Sequence, residues 1–179
     1  MIDRFHVAKH YRSGLDTLRK HELKRLKKEL NESDYSKLKG AMWALRKKED
    51  ALTPQDKEVL AAVFKYSPSL KQAYYFQNEL TDIFNQNINK GEASELIEAW
   101  IYGVKLSGLT CFDKFIDTLK NNWHEILNYF YHRQRKNSGF IEGLNNKIKV
   151  IKRRCYGVFD IGRLFQRISL DLSGYAQFV

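Results

Sequence analysis

The sequence is poor in cysteine, proline and glycine, and it has no long apolar run. Two cysteines among 179 residues, Cys111 and Cys155, exclude a disulfide scaffold. No C-x-x-C pair is present, so a cysteine-based zinc ribbon is excluded as well. Two prolines and ten glycines exclude a collagen-like chain and provide few breaks in regular structure. No apolar stretch approaches the roughly 18–20 residues of a membrane span. The opening residues, MIDRFHVAKHYR, carry charge where a signal peptide carries its apolar segment. These absences predict a soluble, cytoplasmic protein with no membrane partner. In contrast, 43% of the residues are hydrophobic and 13% aromatic, which excludes a disordered chain. The length suits one domain, and a domain of this size buries roughly 70% of its unfolded surface.

Positive charge is in excess, with 31 Lys and Arg against 21 Asp and Glu. It is unevenly placed. Residues 1–31 hold nine cations and four acids, and residues 132–167 hold ten cations and two acids. Between them, residues 32–131 hold twelve cations and fourteen acids. The basic ends point first to nucleic acid, and otherwise to an acidic partner or surface. No tandem repeat or low-complexity segment separates the parts.

The periodicity is almost entirely helical. Residues 4–30 carry Leu15, Leu18, Leu23, Leu26 and Leu30 at spacings of three to five. Ser33 is a candidate cap for a helix over 34–48. Thr53-Pro54 and Ser67-Pro68 each place a capping residue before a proline, which predicts helices over 54–65 and 68–88. A further helix starts around Gly91 and ends at Gly108, and Thr110 is a candidate cap for the next. The stretch Ile126–Tyr131, ILNYFY, reads as either helix or strand. Helices over 139–155 and 160–172 follow, broken at Tyr156-Gly157. At most two short strands are expected, over Met1–Asp3 and 127–131.

The segment 139–155, GFIEGLNNKIKVIKRRC, is the most informative. Ile141, Leu144, Ile148, Ile151 and Cys155 form one apolar stripe. Glu142, Asn146, Lys149 and Arg153 recur at four, three and four on a different face, flanked by Lys147, Lys152 and Arg154. Amides and cations along a helical ridge suit phosphate contacts, and an acid above them suits a metal ion beside a phosphodiester. An ordinary solvated face whose charges complement the helix dipole has the same pattern.

Asn137 to Tyr175, NSGFIEGLNNKIKVIKRRCYGVFDIGRLFQRISLDLSGY, resembles the C-terminal end of bacterial insertion-sequence transposases of the DDE (Asp-Asp-Glu) type. The likeness is to those in which a long helical segment separates the second Asp from the Glu. The opening MIDRFHVAKHYR resembles the segment around that second Asp. The resemblance runs through the whole chain in order, with Asp3 and Glu142 separated by 139 positions. It implies a mainly α chain, made of a helical insertion bundle plus the C-terminal remnant of a ribonuclease-H-like α/β core. Residues 1–12 match the second-Asp segment, 13–125 the helical insertion, and 126–179 the Glu-bearing segment and last helices. It implies DNA transposition by metal-dependent strand cleavage and transfer. Asp3 and Glu142 match two of the three carboxylates that hold magnesium, or manganese, once the active site is complete.

The family's first Asp, on an upstream strand, has no counterpart here, nor do its zinc-ribbon and helix-turn-helix parts. The expectation is therefore a truncated or frameshifted element, or a misplaced start codon, inactive alone. DNA is the expected partner, with Arg133, Arg135, Lys136, Asn146, Lys149, Lys152 and Arg153 as candidate contacts. Self-association, or association with a full-length transposase, is also implied. The alternative is a non-catalytic DNA-binding or oligomerisation module that modulates an intact transposase. A basic helical bundle for RNA or another acidic partner is a third reading, and Glu142 is of no use to it. His6 and His10 have metal-compatible spacing but no evident third ligand. Lys24, Arg25, Lys27 and Lys28 read as a solvated face or a phosphate ridge. Trp43, Trp100 and Trp123 read as core or as stacking platforms, and Cys111 and Cys155 as core.

Overall fold

The computed structural model describes residues 4–130, 139–155 and 160–173, with side chains for 6–130, 143–155 and 160–172. All the regular structure in them is helical. Two compact units divide the chain, Met1–Arg135 and Lys136–Val179.

The first unit opens with α1 (Arg4–Glu29). Val7, Tyr11, Leu15, Glu22 and Leu26 fall on one side of it and are buried, as a 3.6-residue period dictates. That side lies on α5 (Pro68–Asn85) and α7 (Asp113–Asn121). The Tyr11 hydroxyl shares a 2.9 Å hydrogen bond with Thr81, and its ring meets Phe115 edge-on at 5.5 Å. Glu22 is buried as a carboxylate because Ser67 Oγ donates to it at 2.7 Å and Arg25 Nη2 at 2.8 Å. Ionised groups survive burial when paired in this way.

The helix expected over 34–48 is broken. Asn31, not Ser33, caps α2 (Glu32–Ser36), its Oδ1 accepting from the Asp34 amide at 2.8 Å. Gly40 then takes φ +93°, which a side chain resists, and α3 (Ala41–Ala44) starts afresh. Thr53 and Ser67 both cap as expected. Thr53 forms a reciprocal capping box with Asp56 at the start of α4 (Pro54–Tyr66), and Ser67 Oγ accepts from the Leu70 amide to start α5. Asn89 caps α6 (Lys90–Leu106) in a second such box with Glu92. Thr110 caps nothing. Its carbonyl accepts from the Asp113 amide, and α7 begins at Asp113 with no side-chain cap.

Trp100 on α6 is the centre of the core. Its indole N–H donates to the Phe76 carbonyl at 2.8 Å, and its ring meets Phe76, Phe112 and Phe115 edge-on. A ring of this size contributes on the order of 2 kcal/mol by burial once its N–H is satisfied. The stretch after α7, read as either helix or strand, is helical through residue 130, with no strand among the described residues 127–130. It forms α8 (Trp123–Leu127) and a 3-10 turn over Asn128–Phe130. The reason is long-range: Tyr129 and Phe130 pack on Phe84 at the end of α5, at 5.8 and 5.3 Å. The expected Met1–Asp3 strand lies outside the described residues, as does the Tyr156-Gly157 break.

In the second unit α9 (Gly139–Arg154) packs against α10 (Ile161–Ser173). Ile151 is buried and Leu144, Ile148 and Cys155 are half-buried, which follows the expected stripe. Ile141's side chain lies outside the described residues. Asp160 starts α10 by accepting from the Arg163 amide at 2.9 Å. Ile161, Phe165 and Leu172 stay exposed along α10.

Candidate functional site

Asp3, Arg133, Arg135 and Lys136 lie outside the described residues. Glu142 belongs to the first turn of α9, and its side chain also lies outside them. The other candidates share that helix. At 3.6 residues per turn, positions 142, 146, 149 and 153 fall within about 60° of one another, and Lys152 borders them. Asn146, Lys149, Lys152 and Arg153 are all exposed. The half-buried and buried Leu144, Ile148 and Ile151 occupy the opposite side. Packing therefore fixes which way the polar row faces, because turning it inward would expose the stripe.

The row spans about 16 Å from position 142 to position 153 at 1.5 Å per residue. That is four to five nucleotide steps at roughly 3.4 Å each. Lys152, Arg153 and Arg154 fill the last turn of α9, where cations also oppose the negative end of the helix dipole. The ridge is thus stable without a ligand and suited to a polyanion. Among the described residues no group of three His, Cys, Asp or Glu side chains is placed to hold a metal ion. His6 and His10 are exposed on α1.

The first unit carries a further basic surface. Lys9, Arg12, Ser13 and Asp16 of α1 and Arg46 after α3 line an open groove of about 410 Å³. Asp16 is held below the usual carboxylate range by Arg19 and Lys20, which outweigh the opposing effect of its burial. Arg19 bonds it at 2.8 Å, and Arg46 approaches it to 3.7 Å. Trp43, read from the sequence as core or as a stacking platform, is 61% exposed, and the Arg46 guanidinium lies over its ring at 5.7 Å. Trp123 is half-buried against the core. The spacing of Lys9 and Arg12 hints at one edge of this groove. Arg46 joins them only through tertiary packing, which periodicity does not reveal.

The charge run on α1 divides. Lys24, Lys27 and Lys28 are exposed. Arg25 is held by Glu22, Glu29 and the Tyr66 carbonyl, so its charge is largely used within the fold. Cys111 is half-buried and its thiol is pushed up to about 11 by burial, which suits packing and not nucleophilic chemistry. Among the described residues no helix is long and apolar enough to cross a membrane.

Comparison with known proteins places the chain among transposases. The chain is 29% identical over 178 residues to the transposase for insertion sequence element IS1001 of Bordetella parapertussis, covering 99% of this chain and 43% of that protein. It is 27% identical over 139 residues to the transposase for insertion sequence element IS1557 of Mycobacterium tuberculosis, covering 78% of this chain and 30% of that protein. The chain therefore spans less than half the length of these curated relatives. No solved structure matches. A family model for ISL3-type DDE transposases, described as transposase, matches residues 1–168, and the chain belongs to this family of bacterial insertion-sequence transposases.

Proposed function

We propose that these residues are the part of a transposase that runs from the second catalytic Asp to the C-terminal helices. On this reading Asp3 and Glu142 each give a carboxylate to a divalent metal site, and α9 holds DNA beside it. The Glu142 helix and the second-Asp segment belong to a ribonuclease-H-like core, and residues 13–125 are a helical insertion between them. A cytoplasmic location, with access to the chromosome, fits this role.

The observation that carries the reading is the polar face of α9. Support comes from Asn146, Lys149, Lys152 and Arg153, exposed along α9, and from Glu142, which belongs to the first turn of the same helix. Carboxylate oxygens suit magnesium or manganese, and magnesium takes one or two carboxylates together with substrate phosphates. Two such ions activate the attacking oxygen and stabilise the leaving oxygen in phosphodiester chemistry. The two carboxylates fit such an ion in kind, and on this reading a third carboxylate is needed before DNA is cut.

The test is DNA binding as a function of salt. Log K for duplex DNA is expected to fall linearly with log salt, by about 0.9 per phosphate contacted. Lys149→Ala, Lys152→Ala and Arg153→Ala together should flatten the slope by up to about 2.7. An unchanged slope in the triple variant would remove α9 from the interface.

A further inference from the structure

We propose that the groove between α1 and Arg46, together with the Trp43 ring over which Arg46 lies, is a second DNA contact, made to unpaired bases. Lys9, Arg12 and Arg46 would take the backbone phosphates, and the exposed ring of Trp43 would stack a base. The proposal rests on the reading of the chain as a DNA-acting transposase segment, and it names a site outside the Glu142 helix.

Trp43 is the observation that starts the argument. It sits on the four-residue helix Ala41–Ala44, where Ala41, Ala44 and the following Leu45 are buried to 1–2% exposure. Those three small or aliphatic side chains hold the helix down. Trp43 adds little to that packing, since 61% of it faces solvent. Hydrophobic burial therefore does not explain a tryptophan at this position, and the largest of all side chains is held out on a well-anchored turn. Arg46 lies over the ring and is itself half exposed, so the pair presents a flat π surface with a cation over one face. Base–aromatic stacking with an adjoining guanidinium is how single strands are held irrespective of sequence.

The neighbouring charges fit the same ligand. The groove of about 410 Å³ is lined by three cations and one acid. The acid, Asp16, is bonded to Arg19 and also near Lys20, so its charge is already countered. Lys9 and Arg12 are exposed, and neither makes an ion pair among the described residues. They stand about 8 and 12 Å along the axis from Arg4 at the start of α1, the helix that follows Asp3 in the chain. A duplex offers phosphates to this groove but no accessible base face. Unpaired DNA offers both, so the groove favours it.

The experiment compares one labelled oligonucleotide as a single strand and as a duplex, by fluorescence anisotropy with the 179-residue chain. Trp43→Ala should weaken single-strand binding by roughly tenfold or more and leave duplex binding within about twofold. Trp43→Tyr should restore most of the loss. Arg12→Ala with Arg46→Ala should lower the single-strand salt slope by about 1.4, and Lys114→Ala with Lys120→Ala on α7 should not. Quenching of tryptophan emission by the single strand should diminish in Trp43→Tyr. Equal losses for both DNA forms in Trp43→Ala, or no loss in either, would overturn the stacking site while the duplex result still tests α9. Tighter binding of the matching RNA strand would overturn the assignment to DNA. If the parent chain bound neither DNA form at low salt, both this inference and the proposed function would fall.

Discussion

Gly14 shows how closely the first unit is built. A Cβ at this position would fall 2.3 Å from the Cys111 carbonyl oxygen and 3.2 Å from its carbon. The obstacle is backbone, which cannot swing aside as a side-chain tip would. α1 can pass over the turn before α7 only because this residue has no side chain. Gly14→Ala should therefore destabilise the protein by about 1–3 kcal/mol, the usual cost of overpacking, despite the better helix propensity of alanine. Urea unfolding followed by circular dichroism measures this, and a variant as stable as the parent would mean that α1 shifts freely. The tryptophans make a related point at the same scale. Trp100 is enclosed and its N–H satisfied, and Trp43 is exposed, yet both have apolar neighbours in sequence.

At the scale of elements, the start of α4 is held by charge as well as by a cap. Asp56 accepts from the Thr53 amide at 2.9 Å and from Lys47 Nζ at 2.6 Å. Lys47, followed by the Thr53 hydroxyl and amide, pulls its carboxyl down to about 2 from an ordinary 3.8. A carboxyl depressed in the folded state adds stability above its unfolded value, and that stability is lost as pH falls through the folded value. The Asp56 contribution is thus intact above about pH 4 and disappears between there and about pH 2. Thermal melts of the parent and Asp56→Asn should differ at pH 5 and converge toward pH 2. A difference that persisted at pH 2 would exclude the carboxylate as its source.

Caps of this kind were legible in the sequence where the signal was local. Thr53-Pro54 and Ser67-Pro68 combine a side-chain acceptor with a proline at the first helical position, and both start helices. Ser33 and Thr110 have only the acceptor, and Asn31 and the turn before Asp113 displace them. ILNYF read as a possible strand because β propensity follows its aromatic residues. Its conformation is set by Phe84, more than forty positions away. The polar face of α9 was legible for the converse reason, since one helix carries all its members. The groove at Arg46 was not, because α1 must come together with the turn after α3 to create it.

For the whole molecule the decisive quantity is the number of carboxylates that can meet at one site. Both basic ends supply cations, and on the proposed reading each carries one of two metal-binding acids, Asp3 and Glu142. The near-neutral residues between them make most of the helical core around Trp100, α1 packs on it, and α1 with Arg46 lines the groove. Binding and chemistry should therefore separate. The 179-residue chain should hold DNA and give no cleavage of element-end DNA with magnesium or manganese. Joined to a segment that brings the first Asp, it should cleave. In that completed protein Glu142→Gln and Asp3→Asn should each reduce cleavage by well over a hundredfold, since even residues that only support a metal ligand are worth ten- to a hundredfold. Both substitutions remove a charge at nearly constant shape, so DNA affinity should stay within about twofold at fixed salt. Strand cleavage and anisotropy on the same substrate measure the two properties side by side. Cleavage by the 179-residue chain alone would overturn the claim that its donor set is one short. An active Glu142→Gln protein would leave α9 as a DNA ridge with no part in catalysis.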